Sequence, residues 1–240
     1  NFVVTGADYD LRFVHFPQQP WRAEDYRLFV FQNQLFCTHT LWVEGYNIGM
    51  ALSRVDVNEH TVTLLHPITI DGLAMNPVEK NWVMVPGQNA LHCLYSFYPQ
   101  YTLAELTDLQ TACCRLSLQS NLQPTGTVLE DKMISISTVP QSINDSLYLL
   151  VHQKDDQHIY RDHLVKLNPE TLLPEAISQR PVIEGGNCEG FWRGYLTVYS
   201  LFVWEDRTVI SFGEGDRYSG VAEAPIEALL DAEMLALRET

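Results

Sequence analysis

The sequence predicts an all-β protein of the propeller type, and three observations carry that prediction. Apolar runs of about five to eight residues, rich in β-branched and aromatic side chains, follow one another along most of the 240 residues. Polar turns separate them about every eight to twelve residues. Four groups of similar shape then recur, in residues 27–40, 81–97, 134–153 and 201–216. Repetition of this kind favours a propeller over other all-β architectures.

Each group consists of a strand that ends in turn residues and a second, more aromatic strand. The second strands all end in polar residues, namely His39, Tyr95 with Ser96, His152 with Gln153, and Glu214 with Asp216. In a propeller the inner strands of the blades open onto a shared face. These polar ends are therefore candidate site residues.

The first group is preceded by a charged cluster. Glu24, Asp25 and Arg27 lie directly ahead of predicted strands at residues 28–31 and 35–40, which Gln32, Asn33 and Gln34 would join as a turn. The cluster is either a site or a salt-bridged start of a strand. The residues alone leave both interpretations open.

One segment departs from the strand pattern. In residues 225–238, Ile226, Leu229, Leu230 and Leu237 follow approximately helical spacing behind Pro225. We expect a terminal helix over residues 225–238, packed on a single β-domain that comprises residues 1–240. Residues 102–109 are a second candidate for a short helical turn.

Composition limits the partners. The net charge of −15 opposes binding to nucleic acid and to anionic membranes. No apolar run approaches the roughly 18–20 residues that span a bilayer, and the first residues resemble strand rather than signal peptide, as if the chain began inside a domain. The five cysteines lack zinc spacing, so we expect no metal and mainly buried free thiols. Compartment and oligomeric state stay open.

The residues resemble the five-bladed β-propeller glycosidases, most closely the β-mannoside phosphorylase and hydrolase family. Residues 24–27 (EDYR), with the hairpin that follows, are similar to its Glu-Asp-Pro-Arg motif, although Tyr26 replaces proline. Residues 77–82 resemble the lysine-bearing start of the next blade, residues 147–153 a histidine-bearing strand, and residues 211–216 the closing blade. The resemblance implies five blades, of which the first is incomplete in this chain. The family's early Asn-Pro motif is not found ahead of Trp21.

The resemblance also implies an enzyme that cleaves or phosphorolyses a glycosidic bond, with Asp25 as general acid. A neighbouring Glu24 would raise the pKa of Asp25, because like charges disfavour joint ionisation, whereas Arg27 would oppose that rise. Phosphate would be the co-substrate of a phosphorylase, and no other cofactor is implied. A hydrolase would need a second carboxylate. The implied substrate- or phosphate-binding residues are Glu24, Arg27, His39, Lys80, Asn81, Tyr95, His152, Glu189, Glu214 and Asp216, of which Glu189, Glu214 and Asp216 are the carboxylate candidates.

Several alternatives remain at this stage. Trp82, Tyr95 and Trp192 either stack on a sugar or belong to the core. The same fold also serves a mannosyltransferase that uses a sugar nucleotide. A third possibility is a sugar-binding or scaffold propeller without catalysis, which the Tyr26 replacement favours. A carbohydrate is the expected partner in each enzymatic case.

Overall fold

The computed structural model describes residues 3–4, 21–43, 46–87, 90–124, 133–185, 195–215 and 217–239. These residues form strands joined by short turns, so the all-β prediction is confirmed. Among them, no helix has the length and apolar character needed to cross a membrane.

The strands of the first half of the chain are β1 (Val3–Val4), β2 (Trp21–Phe31), β3 (Gln34–Val43), β4 (Tyr46–Asp56), β5 (Thr61–Pro67), β6 (Thr69–Asp71), β7 (Val83–Pro86), β8 (Leu91–Ser96), β9 (Gln100–Asp108) and β10 (Cys113–Pro124). The second half contains β11 (Ser135–Ile136), β12 (Gln141–Ile143), β13 (Ser146–Lys154), β14 (Tyr160–Leu167), β15 (Pro174–Ser178), β16 (Ile183–Glu184), β17 (Leu196–Trp204), β18 (Arg207–Glu214), β19 (Tyr218–Pro225), the helix α1 (Glu227–Leu230) and β20 (Met234–Glu239).

The chain divides into two compact units. The N-terminal unit contains residues 8–96 and 102–119, and the C-terminal unit contains residues 1–7, 97–101 and 120–240. A single propeller domain over residues 1–240 stays a prediction.

The N-terminal unit contains two blade-like sheets. In the first, β2, β3, β4 and β5 follow one another as an antiparallel meander. In the second, β7, β8, β9 and β10 are neighbours in that order, and the short strand β6 runs parallel to the start of β10. Four strands in sequential order are the unit from which propellers are built.

The hairpin between β2 and β3 follows the sequence closely. Phe31 pairs with Gln34, so only Gln32 and Asn33 form the loop, and their φ angles are 48° and 58°. Two successive left-handed residues define the type I′ turn, whose twist matches that of the flanking strands. The predicted turn was therefore one residue too long, because Gln34 already belongs to β3.

The C-terminal unit contains two further sheets. The order in one is β1, β19, β18 and β17. The first described strand of the chain, β1, therefore pairs with β19, which comes from the end of the chain. The other follows the order β11, β13, β14, β15 and β20, with β12 paired to β13 and β16 to β14. By hydrogen bonding the described strands form three sheets, because β20 lies between β15 and β10 and joins their groups of strands into one sheet of 12 strands. The number of blades stays a prediction.

Apolar side chains from both sheets form the core of the C-terminal unit. The buried members of this cluster are Ile143, Leu150, Leu164, Ile183, Val198, Leu201, Ile210, Ala222 and Leu229. Leu150 and Leu164 belong to runs of four consecutive buried residues in β13 and β14, as expected of strands that are covered on both faces.

The helix predicted for residues 225–238 is wrong in extent. Only α1 is helical, and β20 replaces the second half of the predicted helix. β20 pairs with β15, and Leu237 to Glu239 also pair with the end of β10. Because these pairings satisfy the backbone groups along both edges, they outweigh the weak helical pattern of the side chains. Residues 102–109 likewise lie in β9 and not in a helical turn.

The expected free thiols are found in the described residues. Cys37, Cys93 and Cys114 are buried and unpaired, and Cys113 is half-buried and unpaired. Cys188 lies outside the described residues.

Gly220 on β19 provides a test of this packing. It pairs with Phe212, and a Cβ at Gly220 would lie 2.6 Å from Cζ of that ring. We expect Gly220→Ala to lower the free energy of unfolding by about 1–3 kcal/mol, because the ring must leave its place against the core. Urea denaturation measures this change.

Gly49→Ala is the matched control, since no atom lies within 4 Å of the Cβ position at this strand glycine. We expect its stability to stay within about 0.5 kcal/mol of the wild type. Equal losses in the two variants would contradict the role given to Phe212.

Candidate active site

A fully buried arginine lies at the centre of the N-terminal unit. The relative exposure of Arg27 is 0%. Its Nη1 donates to the backbone carbonyl of Asp25 at 2.9 Å, and its Nη2 donates to Oδ1 of Asn81 at 2.9 Å. Arginine keeps its charge at any physiological pH, so burial requires such acceptors. The guanidinium thereby connects β2 to the segment that precedes β7.

A β-bulge places Asp25 at a special position in β2. Glu24 pairs with Thr40 and Arg27 with Thr38, so Asp25 and Tyr26 together oppose the single residue His39. Asp25 has a φ of 59°, and its side chain is half-buried. Bulges of this kind redirect a side chain out of the regular alternation and often occur next to active sites. Asp tolerates this backbone region better than most residues.

Glu24 contacts a predicted site residue from the next sheet. Its Oε1 lies 3.0 Å from Nζ of Lys80, and both side chains are more than one third exposed. An exposed pair of this kind contributes little to stability. The positive charge of the Lys80 ammonium offsets the negative charge of the Glu24 carboxylate, which precedes Asp25 in the chain.

His39 and Tyr26 form the other side of the bulge. The His39 ring is fully buried, and its Nε2 lies 2.8 Å from Oγ of Ser53. Burial lowers the pKa of His39, although the backbone carbonyl of Thr40 opposes this. Tyr26 lies over His39 with ring centroids 5.0 Å apart, and burial is also the main reason why the pKa of Tyr26 is raised. The environment of His39 is that of a hydrogen-bonded core histidine.

Glu79 and Tyr95 form a second polar cluster in this unit. Glu79 is 5% exposed and accepts hydrogen bonds from the hydroxyl of Tyr95 at 2.8 Å and from the backbone N–H of Asn76. Burial, followed by the bond to the Glu79 carboxylate, raises the pKa of Tyr95. The Tyr95 ring packs on Trp82, with centroids 4.8 Å apart. Trp82 is 1% exposed, so it belongs to the core and cannot stack on a sugar.

The C-terminal unit holds two of the remaining candidates. His152 is 8% exposed, and its Nδ1 lies 2.9 Å from Oγ of Ser137, which donates to the buried carboxylate of Asp162 at 2.5 Å. Glu214 ends β18 opposite Leu196 and is half-buried. Glu189, Asp216 and Trp192 lie outside the described residues.

The structure thus brings together one set of predicted residues, which lies in the N-terminal unit. Glu24, Asp25, Arg27, Lys80 and Asn81 share one network in the N-terminal unit, and His39 lies opposite the bulge. Tyr95 is linked to this region through Trp82 and Glu79. The binding roles predicted for all these residues stay predictions.

Sequence reasoning missed three buried polar residues. Glu79 stands in the lysine-bearing segment, but nothing in the segment indicates its burial. Ser137 has no local signal. Asp162 pairs with His152 across the β13–β14 hairpin, so counting outward from the polar turn at Asp155 could have found it.

The chemistry of the bulge network suits proton donation. A half-buried carboxylic acid, held on a backbone that buried Arg27 fixes, is a rigid donor for a leaving oxygen. In the described residues, no group of three or more His, Cys, Asp or Glu side chains could hold a metal ion.

Comparison with known proteins gives a consistent fold. The sequence matches no protein-family model, and a comparison with curated protein sequences finds no match. Solved structures do match. A β-1,2-mannobiose phosphorylase from Listeria innocua, in complex with β-1,2-mannobiose, superposes with a TM-score of 0.68 at 14% identity and is matched over 87% of this chain and 60% of its own. This chain therefore spans about three fifths of that protein.

Two further structures agree. A glycosyl hydrolase from Bacteroides ovatus has a TM-score of 0.68 at 13% identity, over 89% of this chain and 68% of its own. A third structure has a TM-score of 0.64 at 13% identity, over 85% of this chain and 65% of its own. It is described with the GH130 family of mannoside phosphorylases, which contains glycoside hydrolases that target β-1,2-mannosidic linkages in Candida mannan. The chain shares the fold of these structures, and the predicted propeller fold is confirmed.

The Arg27–Asn81 hydrogen bond generates a stability prediction. Asn81 has a φ of 66°, so Asn81→Gly removes the amide without straining the backbone. We expect a loss of about 1–3 kcal/mol, because a buried charged donor loses its acceptor. Asn81→Ala should lose about a further 1–2 kcal/mol from left-handed strain. Urea unfolding measures both.

Asn33→Gly is the matched control, since Asn33 is also left-handed but is exposed in a turn. It should stay within about 0.5 kcal/mol of the wild type. If Asn81→Gly proves equally harmless, the hydrogen bond to Arg27 does not stabilise the fold.

Buried His39 generates a pH prediction. Its pKa is lower in the folded protein than in the unfolded chain, where it lies near the ordinary 6.5. The unfolded chain therefore takes up protons first, and the free energy of unfolding falls as the pH drops below about 6.5. We expect His39→Gln to be less stable at about pH 7.5 but to lose less stability on going to about pH 5.5.

Denaturation at several pH values measures this slope. His163, whose pKa burial also lowers, adds to the wild-type slope and remains in the variant. Asn33→Gly, which changes no titrating group, is the control and should keep the wild-type slope. An unchanged slope in His39→Gln would contradict the assignment.

Proposed function

We propose that the protein is a carbohydrate-active enzyme that cleaves or phosphorolyses a glycosidic bond, with a mannoside as substrate and Asp25 as general acid. The observation that carries the proposal is the bulge that sets Asp25 apart from the alternation of β2, on a backbone that buried Arg27 holds. The fold shared with mannoside phosphorylases and glycoside hydrolases supports the same proposal.

The proposed reaction begins with proton transfer from the Asp25 carboxyl group to the glycosidic oxygen. The bond between the anomeric carbon and that oxygen breaks, and the leaving sugar departs as an alcohol. Phosphate, or water activated by a second carboxylate, forms the new bond at the anomeric carbon. Asp25 must therefore be protonated when the substrate binds.

Arg27 acts in this proposal as a positioning residue. Its Nη1 holds the carbonyl of Asp25, and its Nη2 holds Asn81, which directly follows Lys80. The contact with the carbonyl holds the backbone of the residue that carries the proposed acid. Lys80 forms an ion pair with Glu24 in the structure. It would bind phosphate by releasing the Glu24 carboxylate and contacting the phosphate oxygens instead.

The decisive variant is Asp25→Asn. Asparagine tolerates the left-handed backbone of residue 25, so the bulge is retained while the acid is lost. We expect turnover to fall by about 10³-fold, which is the usual contribution of a general acid. The assay is release of mannose or mannose 1-phosphate from β-1,2-mannobiose, with and without inorganic phosphate.

Asp108→Asn is the matched control, because Asp108 is an exposed aspartate in a turn of the same unit. It should turn over at the wild-type rate. An active Asp25→Asn protein would exclude Asp25 as the acid. Calorimetric binding of mannobiose by the wild type without product after long incubation would instead support a non-catalytic sugar-binding protein.

A further inference from the structure

A short connection lies between the two sheets of the N-terminal unit. Residues 72–82 join β6 to β7 without helix or strand, and we call residues 76–82 (NPVEKNW) the strap. Residues 74–80 are all exposed except Glu79, which is 5% exposed. Acidic side chains are almost never buried unless they are paired. The burial of Glu79 in an otherwise exposed segment therefore has to be explained by its contacts.

Glu79 is bonded to the second sheet. Its Oε1 accepts the hydroxyl of Tyr95 at 2.8 Å and the backbone N–H of Asn76 at 2.5 Å. The side-chain Nδ2 of Asn76 donates to the same hydroxyl at 3.1 Å, so the three residues form a closed ring of hydrogen bonds. Hydrogen bonds to a charged acceptor are stronger than those between neutral groups. Glu79 thus ties the start of the strap to β8.

The backbone of β8 directs Tyr95 toward the strap. The pairing of β8 with β9 shifts between Leu94 and Ser96, so Tyr95 is the additional residue of a β-bulge. A bulge turns a side chain out of the regular alternation of its strand. The ring of Tyr95 packs on Trp82 with centroids 4.8 Å apart. Its hydroxyl therefore holds the start of the strap, and its ring holds the end.

The following strap residues are bonded to the first sheet. Three consecutive residues each form one contact with β2 or β3, namely Lys80 with Glu24, Asn81 with Arg27, and Trp82 with Thr38. These contacts are 3.0, 2.9 and 3.3 Å long, respectively. The strap is thus held on one side by β8 and on the other side by the strand that carries Asp25.

We propose that Glu79 and Tyr95 are positioning residues for the proposed acid. They fix the strap, and the strap fixes the amide of Asn81. That amide accepts from Arg27, whose other nitrogen holds the carbonyl of Asp25. The effect on turnover rests on the proposed function of Asp25, whereas the coupling between Tyr95 and Arg27 does not. A general acid that is misplaced by about 1 Å loses up to about 10²-fold in rate, so a distant hydroxyl can affect turnover.

The first test observes the guanidinium of Arg27. In protein with ¹⁵N-labelled arginine, its side-chain NMR signal is assigned from its loss in Arg27→Lys. Tyr95→Phe removes the hydroxyl but keeps the ring on Trp82. We expect it to speed the hydrogen exchange of the Arg27 signal about tenfold, because a looser strap opens the buried guanidinium to water. An unchanged exchange rate would overturn the coupling.

Ser117→Ala is the matched control. The Ser117 hydroxyl is half-buried in the same sheet and donates to the carbonyl of Leu103 at 2.9 Å, so its removal also breaks one hydroxyl bond. It should leave the exchange of Arg27 and the turnover unchanged. An effect equal to that of Tyr95→Phe would indicate general loosening of the sheet and would contradict the role given to the strap.

The second test measures turnover of β-1,2-mannobiose. We expect Tyr95→Phe to lower kcat about tenfold and to leave KM within about twofold, because Tyr95 orients the acid and does not bind the substrate. Adding Tyr95→Phe to Asn81→Gly should cost nothing further, because both changes act on the same contact with Arg27. Losses that multiply in the double variant would contradict the proposal.

Substitutions of Glu79 separate positioning from direct chemistry. Glu79→Gln keeps an oxygen that accepts both hydrogen bonds, so kcat should stay within about threefold of the wild type. Glu79→Ala removes the acceptor and should lose as much as Tyr95→Phe. An equally large loss in Glu79→Gln would show that the charge itself is needed and would overturn the positioning role. If Glu79→Ala does not fold, Glu79→Gln and Tyr95→Phe decide.

The two tests distinguish this proposal from the proposed function. A wild type that releases no product would contradict the function of Asp25, and the exchange of Arg27 would still decide whether the strap couples it to Tyr95. An active wild type with full turnover in Tyr95→Phe would contradict the positioning role alone.

Discussion

The burial of Arg27 is the constraint on which the N-terminal unit depends. A charged guanidinium without water needs acceptors on several sides, and the chain supplies a backbone carbonyl from the bulge and an amide from the next sheet. Both acceptors come from residues with left-handed backbones, Asp25 and Asn81. The left-handed backbones of Asp25 and Asn81 thus meet one requirement, because each residue supplies an oxygen atom to the buried guanidinium of Arg27.

This arrangement relates the chemistry to the fold. The side chain of residue 25 carries the proposed acid, whereas its carbonyl carries the structural contact. The carbonyl that accepts from Arg27 belongs to the backbone, so a change of side chain does not remove this acceptor. In the C-terminal unit, Ser137 connects His152 to the buried carboxylate of Asp162.

The sequence predicted the regular strands better than it predicted the bulge in β2 and the conformation of the C-terminal segment. The hairpin of β2 and β3 could be read from apolar alternation and a polar turn, and the propeller class from repeated groups of strands. The bulge at Asp25 could not, because no residue type at that point demands a left-handed backbone. The terminal helix failed for a related reason. Residues 225–238 have approximately helical spacing, but the edges of β15 and β10 that pair with residues 234–239 are far away in sequence.

The position of β20 has a consequence for how the C-terminal unit folds. Leu122 pairs with Glu239, and nearly half of the chain separates them. During synthesis the edges of β10 and β15 must therefore wait until β20, the last of the described strands, leaves the ribosome. Contacts between such distant residues are slow to form and leave strand edges open to other chains in the meantime. A ribosome that stalls before residue 234 would release a chain with two unprotected edges, and such chains are natural targets for chaperones.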